Sequence, residues 1–262
     1  LFAQTIIIMF PLLSQYDEDL HSSALEEVQK CKEFRVESDL LGEIQVPKDA
    51  YYGVQTLRGL YNYNITGVRL SSYRNFIKAF GMIKKACIMA NGRLGLIKPE
   101  IVEAVKQACD EVIEGKLDKE FVVDMIQGGA GTSTNMNANE VIANRALEIM
   151  GKEKGDYTIV SPNDHINKCQ STNDTYPSSG KLGMYLDHFE LVAELEKLID
   201  AFEAKAEEFK DVLKMGRTQL QDAVPMTLGQ EFHGYASTLR ESLALIKAAA
   251  EPLKVQNLGG TA

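Results

Sequence analysis

The sequence predicts an all-α protein in which a helical N-terminal domain is followed by the opening helices of a long-helix bundle. Several segments of about ten residues or more place apolar side chains at three- and four-residue spacing, as a one-faced helix requires. Two such segments, beginning near residues 182 and 227, are far longer than an ordinary helix. Strand signals are nearly absent.

Residues 1–32 read as an atypical leader. The apolar run from Ile6 to Leu13 is interrupted by Pro11, is too short to span a bilayer, and lacks the basic segment of a signal peptide. The alternative for Leu20 to Lys32 is an ordinary helix packed on the body. Residues 33–170 form one helical domain. Helices are predicted over Phe76–Leu94, Pro99–Glu114 and Asn139–Met150, the last starting as early as Asn135. At most, Val36 to Val46 contributes a short hairpin around Gly42.

Residues 171–262 form a partial bundle. From Leu182 an apolar stripe runs through Leu186, Phe189, Val192, Leu195, Ile199, Phe202, Ala206 and Phe209 to Leu213, opposite Glu190, Glu194, Lys197, Glu203 and Lys210. A second stripe runs through Leu228, Phe232, Tyr235, Leu239, Leu243, Ile246, Ala250 and Leu253. It starts at a capping box, Thr227-x-x-Gln230. Two long helices joined by a loop imply an antiparallel pair, each with more apolar surface than one neighbour covers. The chain is accordingly read as an N-terminal fragment of a larger protein.

Composition narrows the function. The 262 residues carry a net charge of -9 with no basic stripe, which argues against a nucleic-acid partner. Cys31, Cys87, Cys109 and Cys169 are far apart and show no CxxC spacing, which fits free thiols in a reducing, cytoplasmic compartment. The four histidines form no ligand pair, so neither a metal nor another cofactor is expected. No membrane association is expected either.

Three polar loops stand at helix starts. Thr132 and Ser133 precede the Asn135 helix, and Thr218 and Gln219 precede the second long helix. Ser171, Thr172 and Asn173 precede the first long helix, with Pro177 in its first turn. Helix N-termini present unpaired N–H groups and a positive dipole end, so three such loops converging would make a donor-rich pocket for a small dicarboxylate. Taken singly, Ser, Thr and Asn before a helix are ordinarily caps, and glycine clusters are ordinarily turns. Physics alone leaves both readings open.

Four long motifs resemble the aspartase/fumarase superfamily, in family order and covering residues from about 34 to 262. They are Arg35-Val-Glu-Ser-Asp-Leu-Leu-Gly42 with Ala50-Tyr-Tyr-Gly-Val-Gln-Thr-Leu-Arg58; Gly128-Gly-Ala-Gly-Thr-Ser-Thr-Asn-Met-Asn-Ala-Asn-Glu140; Pro162-Asn-Asp-His-Ile-Asn-Lys-Cys-Gln-Ser-Thr-Asn-Asp174; and Gly216-Arg-Thr-Gln-Leu-Gln-Asp-Ala-Val-Pro-Met-Thr-Leu-Gly-Gln-Glu231. Details look like the aspartate ammonia-lyase branch. Tyr51-Tyr52-Gly53 stands where fumarases usually place Trp-Gly, and Gly128-Gly129-Ala130 replaces Thr-Gly-Ser. Cys169-Gln170-Ser171-Thr172 replaces Ser-Gln-Ser-Ser, and Gln219 replaces the His found in fumarases and some aspartases.

The resemblance implies reversible elimination of ammonia from L-aspartate to give fumarate. Thr132, Ser171, Thr172, Asn173, Thr218 and Gln219 would bind the substrate. It also implies a homotetramer whose active sites draw loops from three subunits. The family's general base is a serine in a Gly-Ser-Ser-x-Met-Pro-x-Lys-x-Asn loop. This chain has no such motif, so no catalytic residue is assigned in it and the fragment alone is expected to be inactive. The rival readings are a class II fumarate hydratase and a non-catalytic superfamily member. Of the remaining residues, His165 is read as capping or hydrogen-bonding, Cys169 as a buried inert thiol, and Arg217 as either steering carboxylates or holding its own loop.

Overall fold

The computed structural model describes residues 24–128 and 131–259. The apolar run at residues 6–13 and most of the expected leader lie outside the described residues, as do Gly129 and Ala130. The chain divides into two compact units, one comprising residues up to Gly183 plus Gln256 onward, the other Met184–Val255. The division falls inside a helix, further along than the 170/171 boundary read from the sequence.

The first unit opens with α1 (Ala24–Lys30), whose Ala24 and Val28 join the core. This is the ordinary packed helix that was the alternative to a leader, over the residues described. Next comes a hairpin of β1 (Phe34–Asp39) and β2 (Gly42–Pro47), with Asp39 paired to Gly42. Gly42 sits at φ 109°, a backbone conformation that glycine adopts without strain. Arg35 locks the hairpin to the following chain. Its guanidinium donates to the carbonyls of Pro47 (2.9 Å), Lys48 (3.0 Å), Ala50 (2.8 Å) and Tyr52 (2.7 Å), and its Nε to Glu37 Oε1 (2.8 Å).

Four helices follow: α2 (Val54–Asn62), α3 (Arg74–Arg93), α4 (Pro99–Glu114) and α5 (Thr132–Ile149). Helix α4 has the expected limits because its ends are written locally. Pro99 opens it, where a missing N–H costs nothing, and Gly115 closes it at φ 87°. Helix α5 is the centre of the unit: Ala138, Val141, Ile142, Ala143, Ala146 and Leu147 are all fully buried, and so are Asn137, Asn139, Glu140 and Asn144. Those polar side chains pin surrounding segments. Asn137 accepts from Val122 N (3.1 Å) and donates to Glu120 O (2.9 Å), while Asn144 donates to Tyr51 O (2.8 Å) and accepts from Gly155 N (2.7 Å).

Helix α6 (Thr172–Glu208) begins in the first unit and continues into the second. It starts earlier than the sequence suggested, so Thr172 and Asn173 are its first residues rather than a preceding loop. Pro177 is its sixth residue, not part of its first turn. The helix stops at Glu208, short of Leu213, which instead begins a hairpin of β3 (Leu213–Thr218) and β4 (Gln221–Thr227) that the sequence reading missed.

Helix α7 (Leu228–Ala250) then starts at the expected capping box. Gln230 N donates to Thr227 Oγ1 (3.1 Å), and Thr227 N to Gln230 Oε1 (3.0 Å). Within the second unit, α7 pairs antiparallel with the distal part of α6. Phe202 packs on Phe232 and Tyr235, Arg240 bonds Glu203, and Lys247 bonds Glu196. The small core of this pair is Ile199, Ala236 and Leu243. Phe189 and Leu245, 55% and 73% exposed, show that much of the apolar surface is uncovered within this chain. Among the described residues no helix is long and apolar enough to cross a membrane.

Candidate functional site

The starts of α5 and α6 meet inside the first unit. Gly131, at φ 86°, turns the chain into α5, and Thr132 is the first helical residue rather than a residue ahead of it. A Cβ at Gly131 would stand 2.2–2.5 Å from the Tyr176 ring on α6, so only glycine allows this approach. Gln127 brackets the turn from the other side, accepting from Thr134 N at 2.9 Å and donating to Thr134 Oγ1 at 2.5 Å. Gly131→Ala is expected to destabilise the first unit by about 2 kcal/mol or more, combining left-handed strain with the Tyr176 collision. The urea midpoint of the purified chain checks it, and an unchanged midpoint counts against this packing.

At the α6 end, Ser171 is the cap. Its Oγ accepts from Asn173 N (3.2 Å), its carbonyl accepts from Thr175 N (3.1 Å), and its own N–H donates to Asp174 Oδ2 (3.0 Å). Asp174 is buried to 2% exposure, so the cap is held from inside. Pro177 has no N–H, which leaves the Asn173 carbonyl without its i+4 helical donor. Thr172 is tied to α5 because Asn135 Nδ2 donates to Thr172 Oγ1 at 3.1 Å, while Asn135 Oδ1 accepts from Thr175 Oγ1 at 3.0 Å. The Thr172 hydroxyl therefore accepts from inside and keeps its own proton to donate. Thr132 and Asn173 are exposed; Ser171 and Thr172 are half-buried.

Thr218 and Gln219 belong to the second unit and do not directly precede a helix, contrary to expectation. Thr218 ends β3, and Gln219 with Leu220 forms a two-residue turn at φ 48° and 67°. Both signs are positive because such a hairpin turn must match the twist of its strands. Non-glycine residues there cost about 1–2 kcal/mol each, so the tip that presents Gln219 is strained. Arg217 bonds Asp222 across this hairpin, which is the loop-holding alternative for that residue.

Other expectations sort as follows. His165 accepts from Ser161 N at 2.8 Å through Nδ1, a structural hydrogen bond, and burial lowers its pKa. Cys169 is exposed, not buried, because it occupies a left-handed turn (φ 59°) that swings it outward. All four cysteines are free. Among the described residues no group of three or more His, Cys, Asp or Glu is placed to hold a metal ion.

Three residues of the first unit's site escaped the sequence reading: Asn135, Asn167 and Lys84. Asn167 Oδ1 accepts from Asn135 Nδ2 (3.0 Å), Asn139 Nδ2 (3.2 Å) and Lys84 Nζ (3.0 Å). Burial pushes the Lys84 ammonium pKa down to about 7. The available signal was the Asn135, Asn137, Asn139 series in a predicted helix. Asparagine is a poor interior helix former, so a run of it marks amides employed elsewhere.

A family model described as Lyase matches residues 42–262. The chain belongs to the lyase family. It is 57% identical over 229 residues to the aspartate ammonia-lyase of Pseudomonas aeruginosa, a match that covers 87% of this chain and 48% of that protein. Its fold resembles the crystal structure of a fumarate lyase:delta crystallin from Brucella melitensis, with a TM-score of 0.84 and 50% identity, covering 87% of this chain and 53% of the other. A recombinant class II fumarase from Schistosoma mansoni gives a TM-score of 0.79 at 38% identity, covering 88% and 48%. The chain spans about half the length of the curated relatives it matches. The lyase-family match takes in all three candidate loops.

Proposed function

We propose that the full-length protein carrying this chain is an aspartate ammonia-lyase, and that this chain supplies substrate-binding groups to its active site. The carrying observation is the locked pair of helix starts, with the Thr172 hydroxyl held by Asn135, in a chain 52–57% identical to aspartate ammonia-lyases. The lower identity to the class II fumarase favours the amine over the hydroxyl as leaving group.

In such an elimination a base takes the proton from the carbon next to one carboxylate. The electron pair moves into that carboxylate as an aci-carboxylate dianion, then returns to form the double bond as the C–N bond breaks and ammonia departs. The demanding step is the build-up of charge on the carboxylate, and preorganised donors lower it. Thr132 at the start of α5, and Ser171 and Thr172 at the start of α6, supply hydroxyls, and Asn173 a side-chain amide, beside helix N–H groups and a positive dipole end. The Asn173 carbonyl, relieved of its helical donor by Pro177, supplies an acceptor for the ammonium group. Thr218 and Gln219 act from the hairpin tip of the second unit, Gln219 toward the amino group. The base is a serine outside this chain, and the working assembly is a cytoplasmic homotetramer. Uncovered apolar surface on α6 and α7 and four free thiols support that reading.

Thr172→Val in the full-length protein is expected to lower kcat/KM for L-aspartate about a hundredfold, as loss of one oxyanion donor does, with little change in melting temperature. Fumarate release followed by ultraviolet absorbance checks it. Wild-type turnover unaffected by the substitution removes Thr172 from the site.

A further inference from the structure

Helix α3 grips the segment that leads into Ser171. Lys84 Nζ donates to Asn167 Oδ1 at 3.0 Å and to Gln170 Oε1 at 2.9 Å, and Asn91, two turns along α3, donates to Lys168 O at 3.0 Å. Lys84 is 1% exposed, and among the described residues no carboxylate forms an ion pair with it. A buried ammonium without a counter-charge is costly, and a methionine of similar volume would avoid that cost. What the ammonium contributes is two directed bonds to a segment that has no strand or α-helix of its own. The Asn167 oxygen it holds is shared with Asn135, whose amide reaches Thr172 Oγ1.

We propose that Lys84 is a positioning residue: through the Asn167 oxygen it shares with Asn135, it sets the Thr172 hydroxyl and the Ser171–Asn173 turn in the orientation that meets a substrate carboxylate. Lys84 touches no substrate. The inference rests on the ammonia-lyase reading and extends it from the loops to α3.

The test uses the full-length protein with Lys84→Met, Asn167→Leu, the double variant, and Ile88→Ala as a buried control one turn away on the same helix. In Lys84→Met, kcat/KM for aspartate falls about ten- to a hundredfold, the effect of a small misplacement. Amide exchange of residues 166–173 speeds up about tenfold or more, while the β1–β2 hairpin exchanges as before. The double variant loses no more activity than the worse single one, because both changes break one chain of contacts. Ile88→Ala lowers the melting temperature and leaves kcat/KM unchanged. Loss of activity in proportion to melting temperature in both Lys84→Met and Ile88→Ala overturns the proposal, as does unchanged exchange at 166–173. If the wild type releases no fumarate from aspartate, the ammonia-lyase reading fails. The exchange result then still decides whether Lys84 positions the turn.

Discussion

Glu140→Gln is expected to destabilise the first unit by about 2–4 kcal/mol, although it changes the side chain by only one atom. The Glu140 carboxylate is the N-terminal anchor of α2. Oε2 accepts from Gly53 N (2.9 Å), Thr56 N (3.0 Å) and Thr56 Oγ1 (2.6 Å), and Oε1 accepts from Gln55 N (2.7 Å). An amide must point its NH2 at one of those two sites, setting donor against donor in a place that is 1% exposed. Relaxation is blocked by crowding. A Cβ at neighbouring Gly53 would already lie 2.3 Å from the Tyr157 hydroxyl and 3.0 Å from Glu140 Cδ, so there is no slack for the chain to retreat. Burial, helped by the nearby Glu37, pushes the Glu140 carboxyl up to about 7. A carboxyl raised in this way costs the wild type stability as the pH rises through about 7. Urea unfolding of both proteins is therefore compared at one pH, about 8, where the group is ionised and all four donors face a carboxylate. A midpoint within experimental error of wild type would contradict this account of how α2 is held.

How much was legible depended on whether the signal was local. The limits of α4 were readable from Pro99 and Gly115, and the start of α7 from Thr227 and Gln230, because each boundary is set by one or two side chains bonding to adjacent backbone. The β1–β2 hairpin was readable from Gly42. The β3–β4 hairpin was not, since its turn is Gln219-Leu220 rather than an Asn-Gly pair, and Leu213 extends the α6 stripe in register. Exposed residues such as Val224, at 65%, gave no alternating pattern to read. The start of α6 was placed late because Thr172, Asn173 and Asp174 have the composition of a turn, whereas the cap is Ser171.

The candidate site divides along the same line. Thr132 and the Ser171–Asn173 turn were visible as motifs, and their meeting depends on Gly131 beside Tyr176, which is a fact of tertiary packing. Lys84, Asn135 and Asn167 make their contacts across long stretches of sequence, so apart from the asparagine run of α5 no window of residues could reveal them. Cys169 was misread because burial was inferred from the lack of a visible base or cationic partner, while its own backbone turns outward.

The largest effect concerns turnover itself. On the proposed reading the chain holds hydroxyl and amide groups for a dicarboxylate, yet among the described residues none at the α5–α6 site is assigned as a base. Ser178 is buried and its hydroxyl accepts from Asn257 N at 3.0 Å, so it is committed to structure. The Ser171 hydroxyl is a helix cap. Donors alone stabilise the dianion but take no proton from carbon, and the two tasks together make up the rate enhancement. The purified 262-residue chain is therefore expected to release no fumarate from L-aspartate, whereas the full-length protein is expected to do so.

On the aspartate ammonia-lyase reading proposed above, Gln219 bears on the choice of substrate. A side-chain amide offers an oxygen to an ammonium group, and the turn at φ 48° and 67° places Gln219 at the exposed tip of the hairpin. Malate presents a hydroxyl there instead. The most direct measurement is fumarate formation by the full-length protein from L-aspartate and from L-malate in parallel, with the 262-residue chain as a third sample. The account predicts rapid release from aspartate, little from malate, and none from the chain alone. Preference for malate, or turnover by the chain alone, would contradict it.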